Sequence, residues 1–265
     1  MRILLTNDDG IGAPGIVALH DAIADLGEIV VVAPKTVQSA TSHGITYNQP
    51  LFVSQVRVTP TMGGTAVDGR PADCVKLALT NLWPERFGEG ERPDLVISGM
   101  NAGANCGINV IYSGTVAAAI EAAFLGVPSI AVSQLLAGGD PDFEAGALHA
   151  RRAIDRVLAG GPMNAHECLS INIPRTERAD ESARDQREIR VCPMNVHGLV
   201  DKYDQRQSPN GAPYYWAAGH GLEFRDEELG SDVQELKNGR ITLTPLNFDL
   251  TCRAGLDRWS ARMPR

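Results

Sequence analysis

Short apolar runs alternate with helix-like stretches along most of this chain, and that alternation limits the fold more than any other feature. Ile3-Leu4-Leu5, Glu28 to Ala33, Asp94 to Ser98 and Ser129 to Ser133 have strand length and apolar interiors. Strands covered on both faces read this way. Between the first two, Gly15 to Leu26 places Ile16, Leu19, Ile23 and Leu26 on one helical face, and Gly27 stops it. Strand, loop, helix, strand is a βαβ unit, and its crossover is expected to be right-handed. Further helices are predicted from the Asp68 to Asp73 stretch onward, over the Ala-rich Thr115 to Leu125, and over Phe143 to Leu158. Pro71 suits a first turn and Asp73 a helix N-terminus. Leu51 to Val58 reads as extended, a hairpin arm, and Cys168 to Ile173 as another strand. The pattern predicts an α/β fold built on a parallel sheet.

After Pro174 the texture changes. Arg175 to Glu188 is charged or small and reads as solvated. From Ile189 the pattern is more β than α, with Arg240 to Thr244 as a strand. Asp201 to Pro213 reads as a long loop, followed by the aromatic cluster Tyr214-Tyr215-Trp216. Long loops are unusual inside a compact domain, so an arm that packs on something else is expected. The 265 residues fit one α/β domain, 1–265, with 189–255 partly serving as that arm.

Composition excludes several functions. A net charge of −8 argues against non-specific binding to a nucleic-acid duplex, which relies on Lys and Arg at phosphates. Five scattered cysteines, with no C-x-x-C, argue against a disulfide framework or structural zinc and for a reducing compartment. No apolar run reaches membrane-spanning length, and the first residues lack a signal-peptide layout, so a cytoplasmic protein without membrane contact is expected.

Three loops carry unusual chemistry. Asn7, Asp8, Asp9 and Gly10 follow the first strand, Ser39 to His43 follow the second, and Gly99 to Gly114 follow the strand at Asp94 to Ser98. In a doubly wound sheet these loops share one rim. Adjacent carboxylates at Asp8 and Asp9 repel, and a hard divalent cation with oxygen ligands is the usual remedy. Asn101 and Asn105 can supply amide oxygens. Ser113-Gly114-Thr115 opens a helix, whose free N–H groups and hydroxyls make an anion site. Each piece alone has an ordinary explanation, a solvated turn or a helix cap. Together they offer a cation site beside a phosphate site, the combination that metal-assisted phosphoester hydrolysis needs. The glycine spacing fits neither a P-loop nor a dinucleotide fingerprint, and there is no G-x-S-x-G elbow.

The chain resembles the SurE family of survival-protein nucleotidases. The matching stretches are TNDDG with Pro14-Gly15 (6–15), VVAP (31–34), QSAT (38–41), RPADCVK (70–76), DLVISGMNAGAN (94–105), IYSGTVAAAIEAAFLGVPSIAVS (111–133), SINIP (170–174) and ITLTPLNFDLT (241–251). The resemblance implies a three-layer α/β/α, Rossmann-like sheet with an extended C-terminal β arm used for oligomer contacts, in a homodimer or homotetramer. It implies one divalent metal ion, Mg²⁺ or Mn²⁺, and hydrolysis of nucleoside 5′-monophosphates and also 3′-monophosphates. The family's metal ligands map onto Asp8, Asp9, Ser39 and Asn101, and its phosphate-binding serine and threonine onto Ser113 and Thr115. The chain departs from the family pattern in three places: Ala104 stands where proline is frequent, Thr41 to Gly44 vary, and Asn247 replaces a frequent histidine.

The expected chemistry is direct attack by water, with Asp8 or Asp9 accepting its proton. A covalent Asp8 nucleophile is disfavoured, because phosphatases of that kind want a second Asp two residues on, where this chain has Gly10. A non-catalytic nucleotide- or metal-binding module on the same fold is the rival reading.

Overall fold

The structure is a computed structural model of the whole chain and describes residues 1–136, 141–176, 187–200, 202–218 and 222–263. Its first half winds β1 (Arg2–Thr6), α1 (Pro14–Ile23), β2 (Glu28–Pro34), β3 (Val53–Arg57), β4 (Gly63–Val67), α2 (Pro71–Leu77) and α3 (Trp83–Phe87). Then follow β5 (Leu95–Ala102), α4 (Gly114–Phe124), β6 (Ser129–Gln134), α5 (Phe143–Ala159) and β7 (Cys168–Ile173). The remainder comprises β8 (Ile189–Val191), β9 (Tyr203–Gln207), β10 (Pro213–Ala217), α6 (Asp232–Lys237), β11 (Ile241–Leu246) and α7 (Arg253–Arg262).

Among the described residues, nine strands form one sheet in the order β3-β4-β2-β1-β5-β6-β7-β11-β8. From β4 to β7 all neighbours are parallel, while β3 and β11 run antiparallel to β4 and β7. Counting only the parallel strands, the chain lays three down to one side of β1, starting with β1 itself, then three to the other. That is the doubly wound order, and its switch point lies between β1 and β5.

Alternation within β1 explains the layers. Ile3 and Leu5 point to the face covered by α1 and α5, where they meet Ile16, Leu19, Ile23, Ala150 and Ile154. Leu4 points to the opposite face and packs with Val75, Leu79, Ala118 and Ala122 of the α2 and α4 side. Each face therefore has its own core, as a period of two requires. Truncating one such fully buried side chain, Ile16→Ala for example, costs about 2–5 kcal/mol. Close packing has a backbone requirement too: a Cβ on Gly15 would sit 2.0 Å from the Met100 carbonyl oxygen, so only glycine lets α1 approach β5 this closely.

Several expectations need correction. The strand at Asp94 to Ser98 runs on to Ala102 through a register shift between Ser98 and Asn101, so the loop assigned from Gly99 starts later. The long loop assigned to Asp201 to Pro213 is instead β9 and the turn of a hairpin, which pairs with β10 as a separate two-stranded sheet. β8 and β11 belong to the main sheet, so within 189–255 only part of the chain stands apart. Two helices, α6 and α7, interrupt the region read as mainly β. The first is short and the second buries no residue, and neither has a long apolar stripe to announce it. The solvated stretch read from Arg175 to Glu188 lies mostly at 177–186, outside the described residues. Among those described, no helix is long and apolar enough to cross a membrane.

Candidate functional site

The switch point opens a cleft of about 380 Å³ at the carboxyl ends of β1, β2 and β5. Asp8, Asp9, Ser39, Asn101, Asn105 and Ser113 all line it, together with Asn109, Tyr112, Leu135, Leu136 and Leu222. Six of the eight residues expected to form the site from sequence therefore face one another. Gly114 and Thr115 sit directly behind them and are buried.

The two carboxylates differ. Asp8 is only 5% exposed, and Thr115 Oγ1 donates a short hydrogen bond to its Oδ1. Burial pushes the Asp8 carboxyl up to about 6; the Thr115 hydroxyl opposes that rise, and the neighbouring Asp9 charge adds to it. The Asp9 carboxylate is partly open, and its Oδ2 accepts the Ala102 N–H at 2.9 Å. The backbone N–H groups of Asp8 and Thr115 also act on the Asp8 carboxylate and oppose the rise. The main chain behind the two carboxylates is fixed by Asn7 Nδ2, which donates to the Gly10 carbonyl at 2.8 Å, and by the Gln38 N–H, which donates to the Asp8 carbonyl at 2.7 Å.

The opposite wall is built by β5 and α4. The register shift in β5 re-aims Asn101 toward the cleft, a common use of a bulge. Its Nδ2 donates to the Gly103 carbonyl at 2.7 Å, which leaves its amide oxygen available. Ser113 caps α4, its Oγ accepting the Val116 N–H at 3.1 Å, and still has a hydroxyl hydrogen to offer. Gly114 is required by the site: a Cβ there would lie 2.8 Å from Asp8 Cβ and 2.9 Å from Asp8 Oδ2.

Two expectations shift in detail. Thr115 was expected at the phosphate, yet its side chain is fully buried and committed to Asp8. Asn105 lines the cleft, but its Nδ2 donates to Ser133 Oγ at 2.8 Å and its backbone exchanges hydrogen bonds with the Asn172 amide at 2.8 and 3.0 Å. Sequence reasoning missed the apolar side of the cleft. Tyr112, half exposed beside Ser113, could have been noticed from its place before the serine. Nothing local marks Leu135, Leu136 or Leu222, which arrive from distant parts of the chain.

Among the described residues the lining supplies carboxylates, amides and hydroxyls but neither histidine nor cysteine. That oxygen set, with one carboxylate nearly buried beside a second that is partly open, fits a hard divalent cation such as Mg²⁺ or Mn²⁺.

The "Survival protein SurE" family model matches residues 3–199. The chain belongs to the SurE family. A 5′-nucleotidase SurE of Rhodopirellula baltica is 46% identical over 256 residues, covering 95% of this chain and 94% of that relative. One from Variovorax paradoxus is 41% identical over 270 residues and covers 100% and 99%. Among solved structures, the SurE protein from Aquifex aeolicus superposes with a TM-score of 0.80 at 33% identity, over 99% of each chain. The α/β/α sheet expected from the sequence is thus the SurE fold.

Proposed function

We propose that this SurE-family chain is a divalent-metal-dependent phosphomonoesterase that hydrolyses nucleoside 5′-monophosphates, and also 3′-monophosphates, to nucleoside and phosphate. The carrying observation is the pairing, in one cleft, of a buried and a half-open carboxylate with the capped N-terminus of α4. Nearly full-length similarity to relatives named 5′-nucleotidase supports the same reading.

Asp8, Asp9, Ser39 and Asn101 would hold one cation, which when bound offsets charge on the phosphoryl oxygens and makes a water more acidic. Ser113 donates its hydroxyl to a phosphate oxygen, and the first N–H groups of α4 add their partial positive charge. Thr115 contributes indirectly, its hydroxyl holding Asp8 Oδ1 in place. Water attacks phosphorus, the P–O bond to the sugar breaks, one of the two carboxylates takes the water's proton, and the departing sugar oxygen takes a proton from solvent water, to which the carboxylate returns its own. Tyr112 with Leu136 and Leu222 gives the cleft an apolar flank, which suits a nucleoside better than a bare sugar.

Phosphate release from AMP, with Mn²⁺ and with excess EDTA, tests the proposal. Release that requires the metal is expected. No release from any nucleoside monophosphate with Mn²⁺ present would overturn it.

A further inference from the structure

Behind the cleft, and outside its lining, lies a cluster of three titratable groups from three different segments. Glu121, in the middle of α4, is only 4% exposed. Lys76 Nζ from α2 lies 3.2 Å from its Oε1, and His43 Nε2 donates to its Oε2 at 2.7 Å. Burial alone would raise this carboxyl, but His43 and Lys76 more than offset it and hold it below its ordinary range. A buried carboxylate needs partners, and Lys76 alone would tie α2 to α4. The histidine adds something else, because it comes from the loop that also carries Ser39.

That loop, Lys35 to Gln49 by position, has neither helix nor strand to shape it. Ala40 and Ser42 both adopt left-handed backbone conformations, with φ of 55° and 54°. Non-glycine residues stay there only where their surroundings hold them. The holding contacts are specific. The Ser42 hydroxyl donates to the Ile111 carbonyl at 2.6 Å, and its N–H to the Tyr112 carbonyl at 3.1 Å. Farther on, the Thr46 N–H and hydroxyl donate to Asp73 at 2.8 and 2.7 Å. His43 is the loop's anchor on α4, the helix whose N-terminus faces the cleft.

We propose that the His43–Glu121–Lys76 cluster is a positioning device for the metal site: it pins the Ser39 loop to α4 and so sets where the Ser39 hydroxyl stands relative to Asp8 and Asp9. His43 and Glu121 are positioning residues, since neither lines the cleft. The inference rests on the reading that Ser39 is a metal ligand, and the experiment separates the two.

Mn²⁺ affinity is measured by the electron paramagnetic resonance signal of unbound Mn²⁺ for wild type, His43→Ala, His43→Gln, Ser39→Ala and the His43→Ala/Ser39→Ala double variant. His43 is partly exposed, so His43→Ala is expected to keep its fold, with circular dichroism as the check. His43→Ala should weaken Mn²⁺ binding about tenfold, the low end of what losing a ligand's orienting partner costs. His43→Gln keeps an N–H donor and should recover most of that loss. On the Ser39→Ala background, His43→Ala should add nothing, because the two act as one unit. If Ser39→Ala weakens binding while His43→Ala does not, or if the two losses add, the positioning role is overturned. If Ser39→Ala binds Mn²⁺ as tightly as wild type, Ser39 is no ligand, and the proposal fails with that reading.

Discussion

The rim at the switch point and the β9–β10 hairpin invert the ordinary rule of burial in opposite ways. At the rim, Thr6, Asn7, Asp8, Ser98, Ser113 and Thr115 are all buried although polar or charged. In the hairpin every residue of both strands is exposed, including Tyr214 at 39%, Tyr215 at 62% and Trp216 at 58%. A buried polar group costs free energy unless something pairs with it, and Thr6 Oγ1, Asn7 Oδ1 and Ser98 Oγ lack a partner among the described residues. An isolated two-stranded ribbon is marginal in water, and this one exposes aromatic side chains on both faces, Tyr214 and Trp216 on one and Tyr215 on the other. Each region is thus incomplete by itself, the first in charge and the second in apolar cover. What each is read to lack differs accordingly: a cation at the rim, a second copy of the chain at the hairpin.

Breaking the rim should have the largest effect. Asp8→Asn is expected to lower phosphate release by about 100-fold or more, the scale of losing a group that stabilises the reacting charge. Adding Mn²⁺ should raise the melting temperature of wild type but hardly that of the variant. Asp9→Asn should lose activity and metal affinity as well. The two variants should part in the metal-free protein. Folding raises the Asp8 pKa from 3.8 to about 6, so the folded state binds this proton more tightly than the unfolded one. Its contribution is therefore fully present below pH 4 and is lost as pH rises through about 6, a fall of about 3 kcal/mol. Asp8→Asn should remove that fall and raise metal-free stability near neutral pH. Urea unfolding in a chelator between pH 4 and 7 provides the check; a wild-type stability that climbs over this range would contradict the buried-carboxylate account.

The hairpin comes next in size. The protein is expected to form a homodimer or larger homo-oligomer, and replacing Tyr215 and Trp216 with alanine should weaken association by about 2 kcal/mol or more, as central aromatic residues in interfaces do. Sedimentation velocity across a dilution series measures it. The same double variant should keep wild-type Mn²⁺ affinity, which holds the two regions apart as separate deficits. A wild type that sediments as a monomer at micromolar concentration breaks that side of the comparison.

Ser113→Ala should have the smallest effect and sharpen the rim's own division of labour. Its cap to the Val116 N–H predicts a loss of about 1 kcal/mol of stability. Its proposed place at the phosphate predicts a higher KM and weaker inhibition by inorganic phosphate, with metal affinity intact. An unchanged KM beside a lowered melting point would leave Ser113 as a cap alone.

Much of this protein was legible without coordinates. The strands β1, β2, β5, β6 and β7 and the helices α1, α4 and α5 fall within a few residues of where periodicity put them, because their signals are local and repeat over a whole face. Asp8, Asp9 and Asn101 stood out because strand-ending loops in such a sheet converge on one rim, while Ser39 was singled out by the family resemblance. The hairpin was misread as a loop because its residues are exposed on both faces, so the period-two alternation that betrays a half-buried strand is missing.

What sequence alone determined was the α/β class, the buried parallel strands β1, β2, β5, β6 and β7, and the family. Those follow from patterns carried by neighbouring residues and from motifs spread in order along the chain. Only the tertiary structure decided how the members of the site divide their roles. Asp8 rather than Asp9 is the buried carboxylate, Thr115 turns its hydroxyl onto Asp8, and His43 reaches Glu121 across 78 positions of sequence. Desolvation and hydrogen bonding depend on what packs around a group in space, and no local pattern records which distant residue will do so.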